Sequence, residues 1–136
     1  MLFTKRSVTS TTALLAYLAL ADLLVHMLFA NNYGYFRDEL YYIVSGTQHL
    51  SLGYVDFPPF IAYVAALLNV ISEDSLISIH VIPALVEALL VFVAGMIARE
   101  LSGGRKAQLL AAVSTLLTLT FLADGSSFSP NSLDLR

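Results

Sequence analysis

The chain has 136 residues, 57% of them hydrophobic and 12% charged, with a formal net charge of −3 and no cysteine. A soluble domain carries about 25% charged residues, so this is the composition of a membrane protein. The missing cysteines exclude disulfides and thiolate metal sites, and the few, clustered basic residues give no basis for nucleic-acid binding.

Residues 11–30 (TTALLAYLALADLLVHMLFA) follow Lys5 and Arg6 and are almost wholly apolar. That length crosses the roughly 30 Å of hydrocarbon in a bilayer. A cleaved leader would have a shorter apolar core, about 7–15 residues, free of acid. Asp22 lies inside this one, and a transmembrane helix is expected.

Residues 31–76 form a long loop that opens with YGYFRDELYY. A helix is expected over 36–49, with Phe36, Leu40, Ile43, Val44 and Thr47 on one face. Asp38, Tyr42, Ser45 and His49 fall on the opposite face. Such a helix rests on the membrane surface, although Gly46 weakens it by about 1 kcal/mol relative to alanine. Arg37, Asp38 and Glu39 then sit at headgroup level, with Asp38 turned away from the apolar stripe. The plain alternative is a solvated charge cluster in which Arg37 neutralises a neighbour. In the following GYVDFPPF, Pro58 and Pro59 impose extended backbone before them and can start a helix after them. Asp56 either caps that helix or presents a second carboxylate beside Asp38.

The apolar run 57–71 is short for a span. If it does not cross, Lys5, Arg6, Arg99, Arg105 and Lys106 share one side, as the positive-inside rule favours. It is therefore expected to lie in the outer interface or to re-enter. A second span is expected over 78–98, a basic turn containing Gly103 and Gly104 over 99–106, and a third span over 107–123. Residues 124–136 return outside, and the N-terminus is cytoplasmic. The expected fold is all-α and polytopic: about three transmembrane helices, plus interfacial helices in the first external loop.

Asp22 and His26 stand at i, i+4 in the first span, and His80 and Glu87 at i, i+7 in the second. Ionisable groups at such depth cost about 2.5–3.5 kcal/mol or more and face protein. Interhelical pairing, for example His26 with Glu87, is favoured over a proton path. Tyr33, Tyr35, Tyr41, Tyr42, Tyr54 and Tyr63 suit the headgroup region as anchors.

Taken together, YGYFRDELYY, GYVDFPPF and IHVIPALVEALLVFVAGMIARELSGGRKAQ resemble the N-terminal part of polyprenyl-phosphate-sugar-dependent glycosyltransferases. These belong to the GT-C superfamily, which includes protein O-mannosyltransferases and lipid A aminoarabinose transferases. The resemblance covers nearly the whole chain. It implies an inverting transfer at the cell membrane, from a lipid-phosphate sugar donor in the outer leaflet to a hydroxyl of a lipid, glycan or protein acceptor. The motif's carboxylate falls on Asp38, with Glu39 beside it, as base or acceptor-orienting group. The resemblance places an acidic residue in the region of Asp134, which either lies near the acceptor or caps the loop end; Arg37, Tyr42, Asp56 and His80 are further candidates for substrate contact, and Arg37 either helps bind phosphate or pairs with Glu39. His80 departs from the arginine that family members often carry there. Some members bind a divalent metal near the acidic pair, and no obligatory metal is expected here. Enzymes of this kind are several times longer, so an N-terminal fragment or truncated product, inactive alone, is expected. The competing reading is a non-catalytic membrane subunit or scaffold whose external loop binds a partner.

Overall fold

A computed structural model of the chain describes residues 2–32, 34–72 and 75–133, with side chains from residue 10 onward. All regular structure among the described residues is helical: α1 (Leu2–Phe29), α2 (Arg37–Gln48), α3 (Phe60–Ser72), α4 (Leu76–Glu100), α5 (Arg105–Leu116), α6 (Leu119–Asp124) and α7 (Pro130–Leu133). Two helical segments, Ser10–Phe29 within α1 and Leu76–Glu100, are long and apolar enough to cross a membrane. At 1.5 Å per residue they span about 30 and 37 Å. Their outward faces expose Leu20, Leu24, Leu28, Leu85, Leu89 and Ile97, a surface suited to hydrocarbon rather than water.

α1 packs along α4, and α5 packs against both. The inward stripe of α4 is rich in small residues: Ala84, Ala88, Val91 and Gly95 are buried. In lipid, apolar surface gains nothing by leaving the tails, so helices associate by close approach and van der Waals packing. Gly95 provides that approach, since a Cβ there would lie 2.5 Å from Leu15. Leu15, Val91 and Ala112 form the centre, enclosed by Leu18, Phe92, Met96, Leu109 and Leu116. At the basic end of the bundle Arg99 donates to the Thr12 hydroxyl across the α1–α4 contact at 3.4 Å.

The expected turn after α4 is present, but its glycines do a different job from the one the sequence suggests. The Gly103 N–H donates to the Ala98 carbonyl and the Ser102 N–H to that of Arg99, both at 2.9 Å, which closes the helix as a Schellman motif. The left-handed position of that motif falls on Ser102, with φ 63°. Gly103 is required for space instead, because a Cβ on it would meet the Ala98 oxygen at 2.5 Å.

The expected single helix over 107–123 is broken. α5 ends at Leu116 and α6 starts at Leu119, with Thr118 between them in extended backbone at ψ 117°. Hydroxyl bonds to the backbone flank the interruption. Thr115 donates to the Ala111 carbonyl at 3.0 Å and Thr118 to that of Ser114 at 2.7 Å. Such i−4 bonds compete with the helical ladder and bend it. α5 alone has 12 residues and reaches about 18 Å, well short of the bilayer core. The chain beyond it folds back, and α6 and α7 pack on α4.

α3, at 13 residues, spans only about 20 Å. It starts where Pro59 offers its carbonyl to the Tyr63 N–H, and it packs on α2. Ile43, Phe57, Ile61, Ala62, Ala65, Ile79 and Phe128 form a second apolar centre there. α2 turns one face to α3 and leaves much of the stripe expected to rest on a membrane exposed. Its buried residues are Glu39, Ile43, Ser45 and Gly46, whereas Phe36, Leu40 and Val44 are exposed. Packing against α3 selected the stripe with the smallest residue, since a Cβ on Gly46 would collide with the Ala62 carbonyl oxygen and lie 2.9 Å from the Ala65 Cβ.

Two substitutions test these packings by thermal unfolding in detergent micelles. Gly46→Leu forces α2 from α3 and is expected to destabilise by about 1–3 kcal/mol. Ser102→Gly relieves the left-handed backbone and is expected to stabilise by roughly 0.5–1 kcal/mol.

Candidate functional site

The residue that organises the loop is Glu39, in the first turn of α2 and 1% exposed. Its Oε2 accepts the Phe36 N–H at 2.9 Å, satisfying a donor at the start of its own helix. Its Oε1 accepts the Phe128 N–H at 2.6 Å and lies 3.0 Å from Nε2 of His80 on α4. The other ring nitrogen, Nδ1 of His80, is 3.2 Å from the carbonyl of Ala30, just past the end of α1. Both nitrogens of His80 thus face oxygens, and an imidazolium donating twice satisfies both. Two segments distant in sequence, at His80 and Phe128, thus meet the first turn of α2 at one carboxylate, and His80 links them to the end of α1. Burial pushes the Glu39 carboxyl up, but hydrogen bonds from His80, Phe128 and Phe36, with the charge of His80, outweigh it and hold the group below the usual glutamate value.

An aromatic cluster fixes the other end of α2. Tyr54 stacks on Phe57 at 4.4 Å, and Tyr41 and Tyr42 meet the same ring edge-on at 5.3 and 4.9 Å. The Tyr54 hydroxyl lies 2.8 Å from the His49 carbonyl and 3.1 Å from that of Ser45, and it accepts the Ser51 N–H at 3.0 Å. It therefore braces the C-terminal end of α2, at the His49 carbonyl beyond the helix and at the Ser45 carbonyl that also accepts the His49 N–H. Tyr54 is a strut of the loop rather than the membrane anchor expected, and Tyr33 lies outside the described residues.

The two neighbouring acids have opposite environments. Successive helical residues are rotated by about 100°, so Glu39 points in while Asp38 is exposed. Tyr42 lies one turn after Asp38 and is half-buried. Its phenol is pushed up by burial first, and then by the charge of Asp38 and the neighbouring Tyr41. Arg37 is exposed, and the partner of Glu39 is His80 rather than Arg37. Asp56 is exposed and stands three residues before Pro59, whose carbonyl accepts the first bond of α3, so it is not the cap of that helix. The ring contact of Tyr42 with Phe57 nevertheless brings the Asp56 segment beside α2. His80 is buried in the Glu39 junction, and Asp134 lies outside the described residues.

Within the bundle His26 does not pair with Glu87 as expected. Its Nδ1 lies 2.9 Å from the Asp22 carbonyl and 3.6 Å from Asp22 Oδ1, and its Nε2 lies 3.3 Å from the Leu122 carbonyl. Among the described residues no group of three or more His, Asp or Glu side chains is arranged to hold a metal ion. A groove of about 110 Å³ between Pro58, Phe60, Ile61, Pro130 and Leu133 is apolar.

What the sequence reading missed was that Glu39, expected beside Asp38 in the site, is taken up by the fold. One signal was available, because glutamate three residues after a helix boundary often turns back on it. The partners at Phe128 and Ala30 are backbone groups and carry no sequence signal. No protein-family model, curated protein or solved structure matches the chain.

Glu39→Ala leaves a buried imidazolium and a buried N–H without partners, and is expected to destabilise by about 3–5 kcal/mol. The depressed carboxyl contributes stability that is fully present above the ordinary value of 4.5 and is lost as pH falls below it. Protection of the Phe128 amide from hydrogen exchange, relative to its intrinsic rate at each pH, should therefore fall in acid, and this pH dependence should be absent in Glu39→Ala.

Proposed function

We propose that the chain is the N-terminal part of a multi-pass cell-membrane glycosyltransferase, which moves a sugar from a polyprenyl-phosphate donor to an acceptor hydroxyl with inversion. The observation that supports this reading is the asymmetry of the acidic pair. Glu39 anchors the first turn of α2 in the fold and leaves its neighbour Asp38 as an exposed carboxylate on a held helix. Pre-positioning of a base on an anchored element is what such a transfer needs.

Asp38 is the base of the reaction. The acceptor O–H gives its proton to the Asp38 carboxylate as its oxygen bonds to the anomeric carbon. The bond from that carbon to the donor phosphate breaks, and the phosphate leaves with the electron pair. It needs no protonation to do so, and one carboxylate with cationic stabilisation of phosphate is enough. Arg37, exposed beside Asp38, supplies a cation, and Tyr42 borders the acceptor position. Glu39 is the positioning residue, because three N–H groups already occupy its oxygens. His80 serves that junction rather than the donor phosphate. In this reading the N-terminus is cytoplasmic, and α2 and α3 lie on the outer face.

In the protein containing this chain with all its spans, Asp38→Asn is expected to lower kcat for transfer from a polyprenyl-phosphate sugar by about 10²–10⁴-fold. Expression and helix content should be unchanged. Sugar transfer at the wild-type rate by a normally expressed variant would remove Asp38 from the chemistry.

A further inference from the structure

Below the Glu39 junction, α1 and α4 enclose a second set of ionisable groups that the proposed transfer does not use. Asp22 and Glu87 are 2% and 4% exposed. Among the described residues, Asp22 Oδ2 and Glu87 Oε1 are fully buried and have no hydrogen-bonding partner. These oxygens come from facing helices, since α1 and α4 pack along each other. Asp22 meets Glu87 through His26, whose Nδ1 lies 3.6 Å from Asp22 Oδ1. Gly125 closes the site from the α6 side. A Cβ there would lie 2.6 Å from His26 Nε2 and 3.0 Å from the Glu87 Cβ.

The charges facing this site come from three elements. α1 contributes Asp22 and His26, α4 contributes Glu87, and α6 contributes the part-exposed Asp124. His80, two turns further along α4, is committed to Glu39. His26 is the one basic side chain among them, and its ring nitrogens already face the Asp22 and Leu122 carbonyls. Three carboxyls therefore surround a single imidazole, and Asp22 and Glu87 lie inside the two segments apolar enough to cross a membrane.

We propose that Asp22 and Glu87 form a proton-binding site between α1 and α4, holding one proton in common at neutral pH. A proton on either carboxyl makes it a hydrogen-bond donor and removes one negative charge from a place where each costs about 2.5–3.5 kcal/mol or more. A metal ion would need a larger donor set than the described residues arrange here. A cavity of about 30 Å³ lies on the outer side, lined by His26, His80, Ala30, Gly125 and Ser126 among others. It has room for a water molecule, and through it the site reaches the loop.

Infrared spectroscopy of the full chain in phosphatidylcholine vesicles at pH 7 tests this directly. A protonated side-chain carboxyl gives a C=O band separate from carboxylate bands. The expected spectrum contains such a band, which moves when ¹³C is placed in the side-chain carboxyls of aspartate or glutamate. Glu87→Gln and Asp22→Asn should each abolish or shift it, and Glu100→Gln, on the exposed end of α4, should leave it in place. Absence of the band from folded wild-type protein overturns the proposal, as does a band indifferent to both substitutions. If either variant fails to fold, the wild-type spectrum decides. A band that moves with either label supports the site, and no band refutes it.

Discussion

A carboxylate taken out of water has to find hydrogen-bond donors, and Glu39 finds them on three segments of the chain. Most of the half of the molecule around α2 and α3 follows from that requirement. The Phe36 N–H fixes the start of α2, the Phe128 N–H draws the segment after α6 over the bundle, and His80 ties both to α4 and, through Ala30, to the end of α1. Breaking one contact leaves the others as buried, unpaired polar groups, which is costlier than the contact itself is favourable. The junction behaves as a unit for that reason.

The two apolar centres on either side of the ionisable groups are held by different physics. Around Leu15, Val91 and Ala112 the contacts are close and the residues small, as expected where lipid tails would solvate the same side chains equally well. Around Phe57 and Phe128 the contacts are aromatic and branched, as in a core assembled against water. α2 and α3 belong to this second kind, which explains how helices of 12 and 13 residues, too short for the bilayer core, hold together outside the bundle.

The proposed transfer places its own demands on the surface around Asp38. An exposed carboxylate can take a proton from a substrate only if its backbone is held still, and α2 is held at both ends, by Glu39 at the first and by Tyr54 at the second. The break at Thr118 serves the same surface. A straight helix through that point would carry Phe128 away from Glu39, whereas the interrupted one returns it. Asp22 and Glu87 lie further down the bundle and share with the surface only the cavity between His26 and His80.

Much of the architecture could be read from local pattern alone. The helical class, the two long apolar helices, the helix after YGYFRDELYY, the short helix after the paired prolines and the turn at Gly103 all rest on short-range periodicity, composition and backbone stereochemistry, which act within a few residues. The parts not legible depended on distant partners. Which face of α2 is buried was decided by the fit of Gly46 against Ala62, and which acid is consumed by the Phe128 amide and the His80 ring. The pairing of His26 with Asp22 rather than Glu87, and the role of His80, followed from the same convergence. The sequence by itself determined that two acids stand side by side at the start of a surface helix. Only the tertiary structure decided that one turns inward to hold the fold and the other stays outside, because burial of a charge is set by the donors that other segments bring to it.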